Sequence, residues 1–503
     1  MKMKVKILSL IMALLMCVAV FVACDSPKAS DDDDEKGGGN KNNGSGAKEN
    51  IKYSEGLEYE VNDDGKTCSI TWIGECTDTK LMIPKEINGY TVTAIGAEAF
   101  YKCDELEKVV IPDTVKRIGT SAFVSCSELK NVSIPDDIMF IGDSAFDNCK
   151  NLIFNEYENA KYLGNETNKY VCFYKLIDKN KSTSVTMNPS TKIIADNVFY
   201  FNTRLKNVII PDSVKTIGES AFSSCSSLEN ITLPDGVTCI GDSAFSYCSS
   251  LENITLPDSV RIIGDSAFSG CSSLNSITLS DGITSIGDSA FYLCSSLENI
   301  TLPDGITSIG DSAFSNCSTL KNITLPDSVT SIGDGAFNFC YELIFNKYGN
   351  ALYLGNETNK YVYLYGAIDK DNYFNPAQIT IHPSTKIIEK EVFSDFGGNE
   401  YITIPDSVIS IGEYCFSFSR ELKGVTIGNG VTSIEKGMFY SSQELKYVTI
   451  PKSVTSIGKE AFHRNDNLTD IYYTGSKEEW EQIEISDGND SLENATIHYN
   501  YKG

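Results

Sequence analysis

One aromatic residue returns at a fixed interval of 23 residues through most of this sequence. Fourteen phenylalanines keep the interval in three runs: Phe100, Phe123, Phe146; Phe199, Phe222, Phe245, Phe268, Phe291, Phe314, Phe337; and Phe393, Phe416, Phe439, Phe462. A strict period of this size is typical of a repeat protein, because each copy exposes an apolar edge that only the next copy covers. The period therefore predicts one elongated body over residues 91–470, with function on a long surface.

Each repeat divides into a strand and a tight turn. In the copy around Phe245, apolar residues alternate over residues 228–233 as they do on a short strand with one buried face. Pro234 ends that strand, because proline cannot donate to a ladder. Asp242 or Ser243 is then placed to cap a short helical turn that carries Phe245 into the core.

The repeat also resembles a known family. The strand half reads Leu-x-x-Ile-x-Leu behind a cysteine, which is typical of leucine-rich repeats. The 23-residue form, with Leu-Pro-Asp, Ile-Gly-Asp-Ser-Ala-Phe and a cysteine three residues past the Phe, resembles the BspA-like leucine-rich repeats of bacterial surface proteins. This resemblance implies an α/β solenoid, an arc with a parallel β-sheet on its concave side and short helical turns on the other. It also implies an exported protein used in adhesion, coaggregation and contact with host matrix or host cells.

The N-terminus has the pattern of an export signal. Lysines precede an apolar run over residues 7–23, and Cys24 follows directly. The ending Phe-Val-Ala-Cys resembles the bacterial lipobox, which implies that residues 1–23 are removed and that Cys24 carries a lipid. A plainly cleaved secretory signal and an uncleaved anchor helix are the alternatives. Residues 24–50 are acidic and glycine-rich and cannot offset their ordering entropy, so they are expected to form a disordered tether.

Two inserts interrupt the period. Residues 152–179 and 343–370 differ at only seven of 28 positions, and both contain Tyr-Leu-Gly-Asn-Glu-Thr-Asn-Lys-Tyr-Val. A turn-rich centre between alternating aromatic residues predicts a β-hairpin arm in each insert. The near-identity of the two segments indicates that one cassette occurs twice.

The two ends of the repeat region are expected to be caps. Residues 51–90 and 471–503 would cover the open ends of the stacked core. The C-terminal cap contains a capping box, Ser-Lys-Glu-Glu, before a short helix, and a strand is expected at residues 496–499. Trp72 and Trp480 are the two tryptophans, one in each cap, and are expected in the cap cores.

Charge and motif content restrict the function. The net charge of -26 makes nucleic acid and an anionic membrane surface poor partners, so the N-terminal lipid is the expected membrane contact. Histidine occurs only at His382, His463 and His498, and no nucleophile elbow, His-Glu-x-x-His or phosphate loop is present. We therefore expect no enzyme activity, no catalytic residues and no cofactor. A hydrolase with carboxylates in the arms or caps is the alternative.

Cysteine and aspartate both recur with the repeat. Nine cysteines share one position: Cys103, Cys126, Cys149, Cys225, Cys248, Cys271, Cys294, Cys317 and Cys340. Since Asn202 and Ser419 also occur there, the position needs a small buried group, and a thiol ladder is favoured over disulfides or metal ligation. Cys68 and Cys76 are the one pair to test for a bridge. The aspartates Asp242, Asp265, Asp288, Asp311 and Asp334 are expected to cap turns, with weak calcium binding as the alternative.

Three sets of outward residues are candidates for a binding surface. On the strands these are the asparagines Asn207, Asn230, Asn253, Asn299 and Asn322, beside the threonines Thr232, Thr255, Thr278, Thr301 and Thr324. In the arms they are the tyrosines Tyr162, Tyr170, Tyr174, Tyr353, Tyr361 and Tyr365. The expected partners are proteins of the host matrix or of other bacteria, with a polysaccharide on the arm tyrosines as the alternative. Packing of the arm tyrosines against the stack, and Asn and Thr ladders that satisfy one another, are the structural readings of the same residues.

Overall fold

The computed structural model describes residues 52–179, 183–368 and 378–502, which belong to one compact unit. The expected signal peptide, Cys24 and the tether at residues 24–50 lie outside the described residues. The chain winds into stacked coils, and most strands pair in parallel with the equivalent strand one coil away. The predicted fold class, a leucine-rich-repeat solenoid with a parallel sheet, is confirmed.

The first side of the coils is a ladder of three- and four-residue strands, which we call the long-strand ladder. Successive copies are in register, so that Asn207 lies beside Asn230 and Val208 beside Ile231. The central residue of a strand such as Asn230–Thr232 is buried and its two neighbours are exposed, as a two-residue period requires. The ladder consists of Lys80–Met82, Lys108–Val110, Asn131–Ser133, Ser184–Thr186, Asn207–Ile209, Asn230–Thr232, Asn253–Thr255, Ser276–Thr278, Asn299–Thr301, Asn322–Thr324, Tyr401–Thr403, Gly424–Thr426, Tyr447–Ile450, Asp470–Tyr473 and Thr496–His498.

The second side is a ladder of mostly two-residue strands, the short-strand ladder. An isoleucine ends nearly every one of them and points into the core, as Ile217 and Ile240 do. At the N-terminal edge Glu58–Val61 and Glu86–Ile87 pair antiparallel with the first two members. The ladder consists of Thr67–Trp72, Tyr90–Ile95, Arg117–Ile118, Phe140–Ile141, Ile193–Ile194, Thr216–Ile217, Cys239–Ile240, Ile262–Ile263, Ser285–Ile286, Ser308–Ile309, Ser331–Ile332, Ile387–Ile388, Ser410–Ile411, Ser433–Ile434, Ser456–Ile457 and Glu484–Ile485.

The third side is a run of turns that carries the periodic phenylalanine, and we call it the turn row (residues 241–247 in the copy around Phe245). The phenylalanine rings are buried and stack on one another along the core. Phe222 and Phe245 have ring centroids 5.2 Å apart and planes only 1° from parallel. Offset ring stacking of this kind adds to the burial of aromatic area. The strict interval in the sequence is thus explained by a column of stacked rings within each of the three runs of phenylalanines.

The turn row differs from the short helical turn that the sequence predicts. The N–H groups of Ser243 and Phe245 donate to the carbonyls of Asp265 and Ala267 in the next copy, at 2.7 and 2.8 Å. Ser243 has a φ of 54°, which an α-helix does not allow. Asp242 does not cap a helix, because its Oδ1 accepts from the N–H of Asp265 at 2.9 Å. Aligned copies offer backbone partners at every coil, and these partners replace the bonds of a helix.

Each insert takes the place of one coil. In the first, Asn155–Tyr157, Ala160–Leu163 and Cys172–Leu176 form an antiparallel meander, and the last strand then pairs in parallel with Ile193–Ile194. In the second, Asn346–Tyr348, Ala351–Leu354 and Tyr363–Ala367 repeat this pattern against Ile387–Ile388. The predicted hairpins are present, and a third strand joins each of them to the short-strand ladder.

The C-terminal end contains the two helices of the described residues, α1 (Lys477–Trp480) and α2 (Asp490–Asn494). Helix α1 begins with the predicted capping box, in which the Ser476 hydroxyl accepts from the Glu479 N–H and the Glu479 carboxylate accepts from the Ser476 N–H. Trp480 is buried against Tyr473, as expected. Within residues 52–179, 183–368 and 378–502, no helix is long and apolar enough to cross a bilayer.

Trp72 does not lie in a cap core, which corrects the expectation from the sequence. Its side chain is 43% exposed, whereas Cys68 and Ile70 of the same strand are buried. The parallel neighbour pairs with this strand only as far as Ile70, and Trp72 lies opposite Glu58 of the edge strand. Trp72 therefore lies beyond the end of the neighbouring strand Tyr90–Ile95, and its side chain stays exposed to solvent.

Candidate interaction surfaces

The polar row on the long-strand ladder is exposed along its length. The asparagines Asn207, Asn230, Asn253, Asn299 and Asn322 and the threonines Thr232, Thr255, Thr278, Thr301 and Thr324 all face outward. Some of these side chains bond to one another: Asn322 Nδ2 donates to Asn299 Oδ1 at 3.0 Å, and Ser276 Oγ donates to Asn253 Oδ1 at 2.7 Å. The row is an accessible surface of small polar groups that partly satisfy their own hydrogen bonds.

Three of the arm tyrosines predicted as binding residues are buried in the core, so that prediction is wrong for them. Tyr162 and Tyr353 are fully buried, and Tyr174 is 7% exposed. The Tyr162 hydroxyl accepts from the N–H of Asn188, and the Tyr353 hydroxyl accepts from the N–H of His382, both at 3.2 Å. The insert residues that contact the preceding periodic phenylalanines are Tyr174, whose ring lies 5.9 Å from Phe146, and Tyr363, whose ring lies 6.0 Å from Phe337.

The other arm tyrosines are half-buried. Tyr170 packs edge-on against Tyr162, with centroids 5.5 Å apart. Tyr361 stacks on the His382 ring at 4.0 Å, and Tyr365 stacks on Phe345 at 4.6 Å. Burial lowers the pKa of His382 below its usual value, which favours the neutral ring under Tyr361. The arms therefore consist largely of aromatic side chains that pack on one another, and they offer less aromatic surface than the sequence suggests.

The structure instead assembles an aromatic cluster at the C-terminal end of the long-strand ladder, which we call the C-terminal patch. Its members are Tyr401, Tyr447, Tyr472, His498 and Tyr501. Tyr401 and Tyr501 are its most accessible side chains, 57% and 37% exposed. Sequence analysis missed this cluster because Tyr401, Tyr447, Tyr472 and His498 lie at least 25 residues from one another in the chain. The signal was the replacement of the outward asparagine by Tyr401 and Tyr447 and of the outward threonine by Tyr472 and His498.

Two features hold the C-terminal patch in shape. The Tyr447 ring extends over Gly424, where an added Cβ would lie 2.3 Å from the ring Cζ, and reaches to 6.3 Å from the Tyr401 ring. His498 stacks on Tyr472 at 4.8 Å, and its Nε2 is 2.7 Å from Asp470 Oδ1. The hydrogen bond from His498 lowers the pKa of Asp470. Gly424 thus leaves room for the Tyr447 ring on the neighbouring strand, and the Asp470–His498 pair, which joins the last two strands, orients the ring beside Tyr472.

One family model matches most of this chain. It describes the BspA-type leucine-rich repeat region, and its matches lie at residues 93–176, 168–271, 238–361 and 371–498, well over half of the sequence. The chain belongs to the BspA-type leucine-rich-repeat family.

Solved structures with the same kind of repeat include three at similar sequence identity. A leucine-rich repeat protein from Bacteroides ovatus is 24% identical, with 88% of this chain and 98% of that chain covered and a TM-score of 0.34. A leucine-rich cell surface protein from Faecalibacterium prausnitzii is 24% identical over 87% and 99%, with a TM-score of 0.25. The T. pallidum leucine-rich repeat protein is 23% identical over 57% and 88%, with a TM-score of 0.21. The search of curated proteins finds no match.

The BspA-type cysteines have a backbone role. From Cys126 onward, each thiol of the series donates to the carbonyl of the phenylalanine 26 residues earlier, as Cys248 does to Phe222 at 3.2 Å. Ser419 and Ser442 make the same bond from a hydroxyl, to Phe393 and Phe416. The position therefore takes a small buried group, which donates to that carbonyl where it is Cys or Ser, whereas Asn202 and Asn465 do not. Burial raises the pKa of the Cys225 thiol to about 12, as expected of an inert cysteine.

The remaining candidates for chemistry have structural partners. Cys68 and Cys76 are both buried, and both thiols are free. The repeated aspartates accept from backbone N–H groups of the next copy, as Asp265 and Asp288 do at 2.8 Å from Asp288 and Asp311. In the described ranges, no group of three or more His, Cys, Asp or Glu side chains is positioned to hold a metal ion.

Proposed function

We propose that this BspA-type protein is displayed on the bacterial surface by a lipid on Cys24 and binds protein partners there, as an adhesin or interaction scaffold. The partners belong to the host matrix, host cells or other bacteria. The single observation that carries the binding role is the C-terminal patch. Four of the last five long strands supply Tyr401, Tyr447, Tyr472 and His498, and Tyr501 of the following segment joins them on the exposed side of the ladder.

The composition of the C-terminal patch favours a protein partner. Tyrosine is enriched at the residues that dominate protein interfaces, because a rigid ring combines large apolar area with a polar tip. Burial raises the pKa of Tyr447, which keeps its hydroxyl protonated. Its ring centroid lies 6.3 Å from that of Tyr401 and 5.8 Å from that of Tyr472. The rings are held by Gly424 and His498 before any partner arrives, which reduces the entropy lost on binding.

The polar row on the long-strand ladder would supply further, weaker contacts around the C-terminal patch. Its asparagines and threonines are small, exposed and able to bond across ordered water. Such contacts are individually weak, but a stack of coils repeats them along one face. Several chains held at one membrane by their lipids would add avidity through effective concentration.

Surface display is tested first. Brief protease treatment of intact cells should remove the full-length chain. Labelled palmitate should be incorporated into the parent chain and not into Cys24→Ser, because the Cys24 thiol is the proposed attachment point of the lipid. A full-length band that resists protease on intact cells, and is cut only after lysis, would contradict surface display.

Binding is tested with the purified full chain against immobilised extracellular-matrix proteins and fixed bacterial cells. We expect the pair Tyr401→Ala and Tyr501→Ala to weaken adhesion by about tenfold or more, as loss of a hot-spot ring does. The matched control is Tyr200→Ala with Tyr341→Ala, which removes two exposed tyrosines, 47% and 76% accessible, away from the patch. Equal losses in both pairs would show that the C-terminal patch is not the contact.

A further inference from the structure

A cavity of about 640 Å³ opens on the turn row, a different side of the coils from the C-terminal patch. Asp395, Phe418 and Ser441 line it, each two residues after the core phenylalanine of its own coil. Their N–H groups are taken up by the next coil, as Phe418 N–H donates to the Tyr440 carbonyl at 2.8 Å. Only the side chains of these three residues are left to define the cavity wall.

Phe418 presents an aromatic ring to the cavity. The backbone there has a φ of 55°, a left-handed conformation that suits Ser224, Gly270 or Asn316 of other coils better than a bulky side chain. Bulky residues also occur at the equivalent position elsewhere, at Phe201, Tyr247 and Phe339. Phe418 is 49% exposed and packs edge-on against Tyr440, with ring centroids 5.5 Å apart. The exposed part of its ring is available to a ligand in the cavity.

The polar lining also departs from the regular repeat. Regular coils carry two small residues, such as Ser226 and Ser227, where these coils carry Arg420 and then Gln443 with Glu444. Arg420 is held in place at one end, because its Nε is 3.1 Å from Asp395 Oδ1, while its side chain is 79% exposed. One anchored bond leaves most of the guanidinium donors facing outward.

We propose that this cavity binds a neutral sugar residue of a glycan. A pyranose ring has an apolar face of C–H groups that fits the Phe418 ring, and ring contact of this kind carries most of the apolar burial. Its hydroxyls both donate and accept, and the lining offers both functions: donors on Arg420 and Gln443, acceptors on Asp395 and Glu444. Planar guanidinium, amide and carboxylate groups can each bond two adjacent hydroxyls at once.

Size and charge narrow the ligand class. The cavity volume lies within the range that encloses small ligands. Two carboxylates against one guanidinium leave the lining with a net negative charge, which disfavours uronic and sialic acids. This site rests on different residues from the protein-binding patch, so either proposal can fail without the other.

The test uses saturation-transfer-difference NMR on the detergent-purified full chain. The probes are methyl α-D-glucoside, methyl α-D-mannoside, methyl β-D-galactoside and N-acetylglucosamine, with glucuronic acid as the anionic comparison. We expect at least one neutral probe to bind, glucuronic acid to bind at least tenfold more weakly, and Phe418→Ser to lower the affinity tenfold or more. Arg420→Ser should also weaken the binding of that probe. Both substitutions introduce the residue of regular coils, and Phe418→Ser also relieves strain.

The matched control is Phe201→Ser, at the equivalent position of another coil, where the ring is 67% exposed with φ of 61°. We expect it to bind the probe as the parent chain does, and circular dichroism should show all three variants folded. Absence of binding by every neutral probe, or equal binding by Phe418→Ser, would overturn the proposal. Phe418-dependent binding of a decalysine peptide in place of any sugar would overturn it in favour of a peptide site.

Discussion

The two inserts have nearly the same sequence and the same meander, yet they join the following coil with opposite charge. Asp196 follows the first insert and Lys390 occupies the equivalent place after the second. Lys390 forms an ion pair with Asp334, 2.9 Å apart. Asp196 is buried near Asp143, a residue of its own sign at the position of Asp334.

The consequence of this difference is a buried acid without a neighbouring lysine at the first junction. The second junction also has a half-buried acid, Glu389, whose pKa burial raises to about 7, but Lys390 lies next to it. Burial, followed by repulsion from Glu219 and Asp143, raises the pKa of Asp196 to about 8. Its Oδ1 accepts from the Glu219 N–H at 2.8 Å, which opposes the rise without cancelling it. The comparison teaches that a cassette's internal packing is transferable, whereas the electrostatics of its junction depend on the coil it meets.

The largest expected effects test what the inserts share. Tyr162→Ala and Tyr353→Ala each remove a fully buried ring, so each should lower the free energy of unfolding by about 3–5 kcal/mol. Urea denaturation followed by circular dichroism measures this. Costs that differ by more than about 1.5 kcal/mol between the two variants would show that the cassettes are not equivalent.

The next prediction concerns pH at the first junction. The pKa of Asp196 is higher folded than unfolded, so its contribution to stability is fully present below about pH 3.8 and is lost as pH rises through about 8. Asp196→Asn keeps the acceptor oxygen and removes the titration. At pH 9 the free energy of unfolding of the variant should be about 2–4 kcal/mol higher than that of the parent chain. Near pH 4 the two free energies should agree within about 0.5 kcal/mol. A constant difference at all pH values would exclude this titration.

A reciprocal exchange tests the junctions directly. Asp196→Lys should create with Asp143 the pair that Lys390 makes with Asp334, and raise stability at pH 8 by about 2 kcal/mol. Lys390→Asp should lower it by a similar amount, because it introduces a second carboxylate beside Asp334. Melting curves of the two single variants at pH 8 provide the measurement. Changes of the same sign in both would contradict the charge argument.

The smallest effect concerns the loop that both inserts use. Asn165 Nδ2 donates to the Ile134 carbonyl and Asn356 Nδ2 to the Leu325 carbonyl, both at 2.9 Å, and their Oδ1 atoms accept from the following turn. Alanine at either position should lower the free energy of unfolding by about 1–2 kcal/mol. Chemical denaturation should show near-equal losses, with Glu166→Ala, on the same loop and exposed, as the control that changes little.

The sequence predicted the repeated core well because that core is local and periodic. Ile231 and Phe245 recur at fixed spacing, so one copy defines the environment of all others. The Asp242 role was predicted as structural but with the wrong partner, since its acceptor bond reaches the next coil. Trp72 and Tyr174 were placed on the wrong side, because burial at a cap or an insert depends on which coil covers it.

By itself the sequence determined the stacking, its 23-residue interval, the position of the inserts and the need for a small buried group at Cys248, since each is repeated and depends on one neighbour of known kind. Only the tertiary structure decided which aromatic residues are accessible. Tyr401 and Tyr472 come from different coils, and Phe418 meets Arg420 and Gln443 across two. Residues that break the repeat have no copy from which their surroundings can be inferred. Their neighbours, in the C-terminal patch and around the cavity, follow only from the way the coils stack.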